Sequence, residues 1–149
     1  MRARTRRLLT AARIGQAHWF FGNLYEAVVR LPDSLARADP KPSSPFAKGS
    51  PVRYYLPAAP VTVAVTLAAT VTGWDVPADR PRLATSAGAT VTGALLTAYL
   101  VRAVNLRLFV AGPPVSEAER DALLRRWYRL NAVRLLAAGG ALAVNRNSR

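Results

Sequence analysis

The chain contains no cysteine, and His18 is the only histidine among its 149 residues. Without cysteine, disulfides, thiolate catalysis and cysteine-bound metal are excluded. Protein metal sites usually combine several histidine or cysteine ligands. The sequence also has no phosphate-cradling loop. We therefore expect neither a metal nor another cofactor.

Acidic residues are scarce, with 8 Asp and Glu against 21 Lys and Arg and a net charge of +13. Such a balance is typical either of a nucleic-acid binder or of a membrane protein whose ends lie against anionic phosphates. Residues 54–74 and 83–101 contain no charged side chain. A membrane-spanning helix needs about 20 predominantly apolar residues. These two uncharged runs favour a membrane protein, with membrane lipid as a partner and no nucleic acid.

The run "VTVAVTLAATVT" at residues 61–72 alternates in a way that suggests a strand. It is longer than most strands, and Thr62, Thr66 and Thr70 share one helical face. Threonine also packs well between membrane helices. We therefore predict a helix.

The sequence predicts an all-α protein, an integral membrane four-helix bundle forming one domain over residues 1–149. The predicted spans cover about residues 8–29, 54–74, 83–110 and 117–144, and residues 31–53 form a polar loop. In "SEAE", Ser116 and Glu119 have the spacing of a capping box at the start of the last helix. The four spans predict a multi-pass protein of the cell membrane with both termini on one side. The arginine cluster at residues 2–7, beside the first span, predicts that this side is the cytoplasm.

Polar residues interrupt the predicted spans at helical spacing. An ionisable side chain at the centre of a spanning helix costs about 2.5–3.5 kcal/mol and usually faces a partner inside the bundle. The stripes are Trp19, Asn23, Glu26 and Arg30, with His18 beside them; Arg102, Asn105 and Phe109; and Leu123, Trp127, Asn131 and Arg134. We expect one shared polar pocket in which Glu26 pairs with Arg102 or Arg134. Alternatively, His18 is a hydrogen-bonded packing residue, and Arg102 and Arg107 extend to the membrane interface.

Three segments resemble the anthrone-oxygenase-like family of small four-helix membrane proteins. They are "RWYRLNAVRLLAAGGAL" at residues 126–142, "VNLRLF" at residues 104–109 and "FFGNLYEAVVRLPD" at residues 20–33. The positions that match the family's short motifs are Asn105, Arg126, Trp127 and Arg134. Asn131 stands where the family usually has a histidine. The resemblance extends over essentially the whole chain.

The resemblance implies cofactor-free oxygenation of a polycyclic phenol, such as anthrone to anthraquinone. The reaction needs a base, donors for the developing enolate and a dry aromatic cavity. The candidate catalytic residues are His18, Glu26 and Arg134, with His18 or Glu26 as the base. The candidate substrate-binding residues are Trp19, Asn23, Arg102, Asn105, Trp127 and Asn131.

Two other properties stay open from the sequence. The protein is an enzyme that acts on a hydrophobic, aromatic small molecule, or it is a non-catalytic accessory or lipid-binding protein in which buried polar residues only lock the helices. The sequence also leaves a homo-oligomer as an alternative to a monomer.

Overall fold

The computed structural model describes residues 3–48 and 50–146, with the backbone alone at residue 146. This part of the chain is helical and contains no strand, so the predicted all-α class is confirmed. The helices are α1 (Ala3–Val28), α2 (Leu31–Arg37), α3 (Pro51–Tyr55), α4 (Ala58–Gly73), α5 (Arg80–Leu100), α6 (Leu106–Phe109) and α7 (Glu117–Arg146). A 3₁₀ turn, Pro77–Asp79, precedes α5, and a π-helical turn, Val101–Asn105, joins α5 to α6.

The four long helices pack in a ring, in which α1 and α5 each lie between α4 and α7. Hydrogen bonds fix the relative direction of the helices: Thr5 near the start of α1 bonds Thr72 near the end of α4. Asn145 near the end of α7 bonds Gln16 of α1. We call the end of the ring that contains Thr5 and Asn145 the terminal end. The opposite end, which contains α2, α3 and α6, is the loop end.

The threonine-rich run forms α4, a helix, as its one-face threonine spacing predicts. Thr62, Thr66 and Thr70 each donate their hydroxyl hydrogen to the carbonyl four residues earlier. This bond satisfies the hydroxyl inside the helix itself. Thr62 is buried against Gly15 of α1, where a Cβ atom would collide with the threonine side chain. The glycine therefore allows α1 and α4 to approach closely.

The predicted polar loop at residues 31–53 requires correction, because it contains α2 and the start of α3. Arg30 adopts a left-handed conformation with φ of 53°, which ends α1 and redirects the chain. Pro32 lies in the first turn of α2, which its fixed φ suits. Ala36 of α2 joins the core around Leu108 and Trp127. Arg30 also leaves the predicted α1 stripe, and its side chain pairs with Asp33.

A salt bridge between Arg107 and Glu119 joins α6 to α7. The guanidinium of Arg107 forms two hydrogen bonds with the Glu119 carboxylate, at 2.9 and 3.1 Å, and donates to the carbonyls of Pro113 and Pro114. The Ser116 hydroxyl accepts a hydrogen bond from the Glu119 backbone, which is one of the two bonds of the predicted capping box. The Glu119 side chain bonds Arg107 across the turn.

Two helical stretches in the described part of the chain, Pro51–Gly73 and Pro77–Phe109, are long and apolar enough to cross a membrane. They cover the second and third predicted spans except for the last residue of each, Trp74 and Val110. The stretches corresponding to the first and fourth spans, α1 and α7, are also long enough but carry more polar residues. Residue 2 of the N-terminal arginine cluster lies outside the described residues.

Candidate functional site

A cavity of about 630 Å³ opens at the loop end, and Glu26 lies in its wall. The other lining residues are Gly22, Tyr25, Leu31, Ser50, Pro51, Arg53, Tyr54 and Tyr55. The volume is within the range of small-molecule sites, about 300–1,000 Å³. Glu26 is only 8% exposed. The site therefore presents one sheltered carboxyl group to a cavity with three tyrosine rings in its wall.

Tyr55 lies beside Glu26 in the cavity wall. Its hydroxyl lies close enough to the Glu26 carboxyl group for a side-chain hydrogen bond. Gly22, one turn before Glu26, makes room for this contact, because a Cβ atom at this position would meet the Tyr55 ring at 2.9 Å. The glycine, the tyrosine and the glutamate therefore form one fitted unit.

His18 packs beside this unit. Its ring centroid lies 5.3 Å from that of Tyr54 and 5.9 Å from that of Tyr55. His18 is half-buried and is not among the side chains that line the cavity. The two tyrosine rings therefore hold His18 next to the site.

Arg134 of α7 is buried and interacts electrostatically with Glu26. The expected direct ion pair between Glu26 and an arginine is wrong, because no salt bridge joins the two side chains. Of the two arginines proposed as the partner, Arg134 is the one that acts on Glu26. The Arg134 guanidinium instead donates twice to the Asn131 side-chain oxygen, at 3.1 and 2.6 Å. It also donates to the Thr97 hydroxyl at 3.2 Å and lies 5.8 Å from the centre of the Trp127 ring.

Asn131 extends this network across to α1. Its side-chain nitrogen donates to the backbone oxygen of Asn23 at 3.3 Å, and the Asn23 nitrogen donates to the Trp19 carbonyl at 2.7 Å. Asn23 is 1% exposed, and its side-chain oxygen has no hydrogen-bond partner among the described residues. Buried acceptors of this kind are uncommon in folded proteins. We call Asn23, Glu26, Thr97, Asn131 and Arg134 the charged layer.

The structure brings most of the predicted site residues together. The side chains in or beside the charged layer are His18, Trp19, Asn23, Glu26, Trp127, Asn131 and Arg134. Trp19 and Trp127 are buried in the bundle, and the tyrosines rather than these tryptophans line the Glu26 cavity.

Two predicted residues of the third span lie elsewhere. Arg102 is exposed, so it does not join the buried polar residues. The π-helical turn Val101–Asn105 changes the rotation per residue, and the regular helical spacing used for the prediction does not hold there. Asn105 lines a second cavity of about 350 Å³ beside Phe109 and Lys48, and its side-chain oxygen has no hydrogen-bond partner within the part of the chain that the structure describes.

The model of the anthrone oxygenase family matches residues 50–144. The chain belongs to this family. Searches of characterised proteins and of solved structures gave no significant match. The family match begins just before Tyr54 and Tyr55 and includes Asn131 and Arg134. It does not include α1, and therefore omits His18 and Glu26, although the sequence resemblance extended into that helix.

Sequence reasoning on this member of the anthrone oxygenase family missed the tyrosines and Thr97. Tyr55 belongs to α3, and its contact with Glu26 joins two residues on opposite sides of a long connection, which helical periodicity does not reveal. The available signal was the pair Tyr54 and Tyr55 at the start of an uncharged run. Among the described residues, no group of three His, Asp or Glu side chains lies together as metal ligands do.

A second buried polar network, which the sequence analysis also missed, lies nearer the terminal end. The Gln16 side-chain nitrogen donates to the hydroxyls of Thr66, Ser86 and Thr90 at 3.5, 3.3 and 3.1 Å. Asn145 donates to the Gln16 oxygen at 3.0 Å and to the Ser86 hydroxyl at 2.7 Å. We call these five residues the neutral layer. None of them lines either cavity described above.

Proposed function

We propose that this protein is a four-span membrane enzyme of the anthrone oxygenase type. It binds a hydrophobic phenolic molecule in the Glu26 cavity and oxygenates it without a cofactor. Family membership supports the reaction class. The observation that carries the proposal for this chain is a buried carboxyl group in the wall of a tyrosine-lined cavity. This carboxyl group, that of Glu26, interacts with the Tyr55 hydroxyl and with the charge of Arg134.

The distribution of polar residues supports membrane insertion of all four long helices. The outward positions of α1 and α7 include Ile14 and Leu136, which are 68% and 77% exposed. Six polar residues of these helices are buried between helices: Gln16, Asn23, Glu26, Asn131, Arg134 and Asn145. The exposed arginines lie towards the ends at which the chain enters these helices, at residues 4–7 of α1 and 125–129 of α7. A soluble protein buries its large apolar residues preferentially. The reverse arrangement suits a bundle surrounded by lipid.

The packing extends this argument from two helices to four. The stretches that contain α4 and α5, Pro51–Gly73 and Pro77–Phe109, meet the requirement for membrane spans. Helix α1 packs along α4, and α7 packs along α5. Helices that lie side by side in one ring share its depth in the membrane. The span of α1 is therefore proposed together with those of α4, α5 and α7.

Topology can be tested cleanly because the chain has no cysteine. We propose that the termini are cytoplasmic, which places exposed Ser43 of the loop end outside and exposed Ala78 of the terminal end inside. In intact cells, an impermeant maleimide should label Ser43→Cys, whereas Ala78→Cys should react only after permeabilisation. The reverse pattern would show the opposite orientation, and labelling of both in intact cells would contradict membrane spanning.

Glu26 is the proposed base. It would take a proton from the methylene carbon of an anthrone, leaving a carbanion whose charge spreads onto the substrate oxygen. The carbanion gives its electron pair to O₂, and with a proton this forms a carbon hydroperoxide. Loss of water breaks the O–O bond and the remaining C–H bond at that carbon, giving a quinone. One O₂ is consumed, one of its atoms stays in the product, and the other leaves as water.

The surrounding residues provide what this step needs. The Tyr55 hydroxyl orients the carboxyl group, and Arg53 in the cavity wall is a cation available to the developing phenolate oxygen. Arg134 lies behind Glu26 and does not line the cavity, so its proposed role is to stabilise the charged layer. His18 is the alternative base. It packs against the rings of Tyr54 and Tyr55 and does not line the cavity, whereas Glu26 lies in the cavity wall.

Oxygen uptake with anthrone by the purified protein in detergent tests the base. We expect Glu26→Gln to lower turnover by about 10²–10⁴-fold, the usual contribution of a general base, because glutamine can keep the Tyr55 contact but cannot accept the proton. His18→Gln should retain turnover within a few-fold, since only the residue that accepts the substrate proton contributes a loss of that size. Loss with His18→Gln and retention with Glu26→Gln would transfer the role to His18.

The non-catalytic alternative has its own supporting observation, the neutral layer, which shows that buried polar residues in this bundle join helices away from any described cavity. If wild type and both variants bind anthrone equally and none consumes oxygen, the protein is a binding protein. If none of them binds anthrone, the charged layer only locks the helices.

A further inference from the structure

A groove of about 670 Å³ lies on the outer face of the bundle between α5 and α7, near the loop end. Its lining residues are Leu96, Tyr99, Ala122, Arg125, Arg126, Arg129 and Leu130. The three arginines are exposed, and none forms an ion pair with another residue of the described chain. The groove therefore combines three uncompensated guanidinium groups with an apolar floor.

The floor continues from the arginines towards the middle of the bundle. Because α5 and α7 run in opposite directions, one helical turn from Tyr99 and one from Arg129 lead the same way, to Leu95 and Val133. Both residues are exposed, at 66% and 47%. An occupant that lies in the groove thus meets cations at the loop end and an apolar strip below them. A phospholipid has this polarity, with a phosphate above an acyl chain.

We propose that this groove is a binding site for an anionic phospholipid, whose phosphate lies on Arg125, Arg126 and Arg129 and whose acyl chain follows Tyr99, Leu95 and Val133. Guanidinium groups match phosphate oxygens through paired hydrogen bonds. Basic pockets between membrane helices bind anionic headgroups. Asp121, one turn before Arg125, is the nearest acid on α7, and it lines a neighbouring groove with Arg125 and Arg129. The net charge of the lipid groove remains positive.

Native mass spectrometry of the full chain in detergent tests this site with phosphatidylglycerol and phosphatidylcholine as probes. We expect wild type to retain one phosphatidylglycerol in preference to phosphatidylcholine. The triple variant Arg125→Gln, Arg126→Gln, Arg129→Gln should bind phosphatidylglycerol about 100-fold more weakly, since each arginine near an anionic surface contributes about 1 kcal/mol and 1.4 kcal/mol is tenfold. Inorganic phosphate at millimolar concentration should leave the lipid complex intact.

The matched control removes the same charge at the terminal end through Arg4→Gln, Arg6→Gln and Arg7→Gln, three exposed arginines outside the groove. It should retain the lipid as wild type does. Equal loss in both triple variants would show diffuse charge attraction and overturn the site, as would unchanged retention in the groove variant. Displacement by inorganic phosphate would show a phosphate site in place of a lipid site.

A single substitution guards against misfolding of the triple variant. Ala122→Glu, at an exposed position of the groove, places a carboxylate four residues before Arg126, where it can pair with that arginine and repel a phosphate. We expect about tenfold weaker lipid retention, on the order of the loss of one or two arginines; wild-type retention would contradict the site. The inference rests on membrane insertion, so carbonate washing is performed alongside. Release of the wild type would remove the membrane proposal, whereas retained insertion without lipid preference would remove this inference alone.

Discussion

The charged layer and the neutral layer are both built from side chains inside the same bundle, and both join α1 to α7, but they differ in two respects. The charged layer contains two ionisable groups, Glu26 and Arg134, and it lies next to a cavity. The neutral layer is made of amides and hydroxyls, with Gln16 bonded to four other residues at once, and it lines neither described cavity. A buried polar residue is therefore a sign of function only when a cavity or a charge accompanies it.

The energetics of the two layers follow from their chemistry. Hydrogen bonds between membrane helices contribute about 0.6 kcal/mol on average and at most about 1.7 kcal/mol. Ionisable side chains at the centre of a spanning helix cost more to insert, about 2.5–3.5 kcal/mol each. In the proposed four-span bundle the charged layer therefore costs stability that the neutral layer does not, which is expected where polar groups are retained for chemistry rather than for folding.

The largest effect is expected for Arg134→Gln in the charged layer. The substitution leaves Glu26 without its buried cation and the Asn131 oxygen with fewer donors. Removal of one partner from a buried charge pair costs about 3–5 kcal/mol. We expect a loss of about 3 kcal/mol, since the two charges are not in direct contact, measured by denaturant unfolding in detergent with tryptophan fluorescence.

The double variant Glu26→Gln, Arg134→Gln supplies the control for this prediction. It removes both charges, so its stability should recover most of what the single Arg134 variant loses. If the losses of the two single variants simply add, Glu26 and Arg134 are not coupled, and the charged layer does not differ energetically from the neutral one.

A pair of glycines provides a second comparison. Gly22 faces Tyr55 beside Glu26, and Gly15 faces Thr62 closer to the neutral layer; a Cβ atom at either would come within 3 Å of a neighbouring side-chain carbon. Overpacking of this kind costs about 1–3 kcal/mol. We expect both alanine variants to lose similar stability in thermal unfolding.

Only Gly22→Ala should lower the anthrone-dependent oxygen uptake, because the added methyl group moves Tyr55 away from Glu26. We expect a loss of at least tenfold, since a displacement of about 1 Å at a catalytic group can reduce rate by about 10². Equal turnover in the two alanine variants would show that the Tyr55 contact does not position the base.

The stripes of α1 and α7 were predictable because both helices keep a regular period. Trp19, Asn23 and Glu26 are buried on one face, and so are Trp127, Asn131 and Arg134. The burial of a charge in an apolar run is a strong signal, since few sequences carry that insertion cost without a partner. The helical class followed from the same periodicity and from the uncharged runs.

Other features were not available from the pattern. Gln16 and Asn145 carry no charge, so their burial leaves little trace in the sequence. Apart from each other, their partners are serine and threonine hydroxyls, which also occur at exposed positions such as Thr10 and Thr85. The exposure of Arg102 depends on a π-helical turn, which no residue of "VRAVN" announces. The cavity wall depends on Tyr55 in α3, whose approach to Glu26 is a tertiary contact.

A smaller effect is expected from the neutral layer. Gln16→Leu removes the hub of the network, but Asn145 and Ser86 keep the hydrogen bond to each other. We expect a loss of about 1–2 kcal/mol in denaturant unfolding, the scale of one strong or two average hydrogen bonds between membrane helices. Oxygen uptake should equal that of wild type after correction for folded protein. A loss of turnover in stable Gln16→Leu protein would contradict the purely structural role of this layer.

The smallest effect is expected for Asp33, which lies in α2, beyond the end of α1 and outside both layers. A substitution of Asp33 tests whether the loop end is sensitive to acid independently of the charged layer. Burial by itself raises the pKa of the Asp33 carboxyl group, but the Tyr128 hydroxyl, the Arg30 guanidinium at 3.1 Å and the charge of Arg37 together lower the pKa further than burial raises it. A depressed pKa contributes stability above the unfolded value of 3.8, and the contribution is lost as the pH falls through the folded value. We expect Asp33→Asn to lower the free energy of unfolding by about 1 kcal/mol at neutral pH and by progressively less below pH 3.8, measured by thermal unfolding across a pH series.

The control is Asp39→Asn, at an exposed acid of the same connection, whose stability should depend on pH as that of the wild type does. A difference between Asp33→Asn and wild type that stays constant down to the lowest pH would show that the carboxylate contributes by packing rather than by charge.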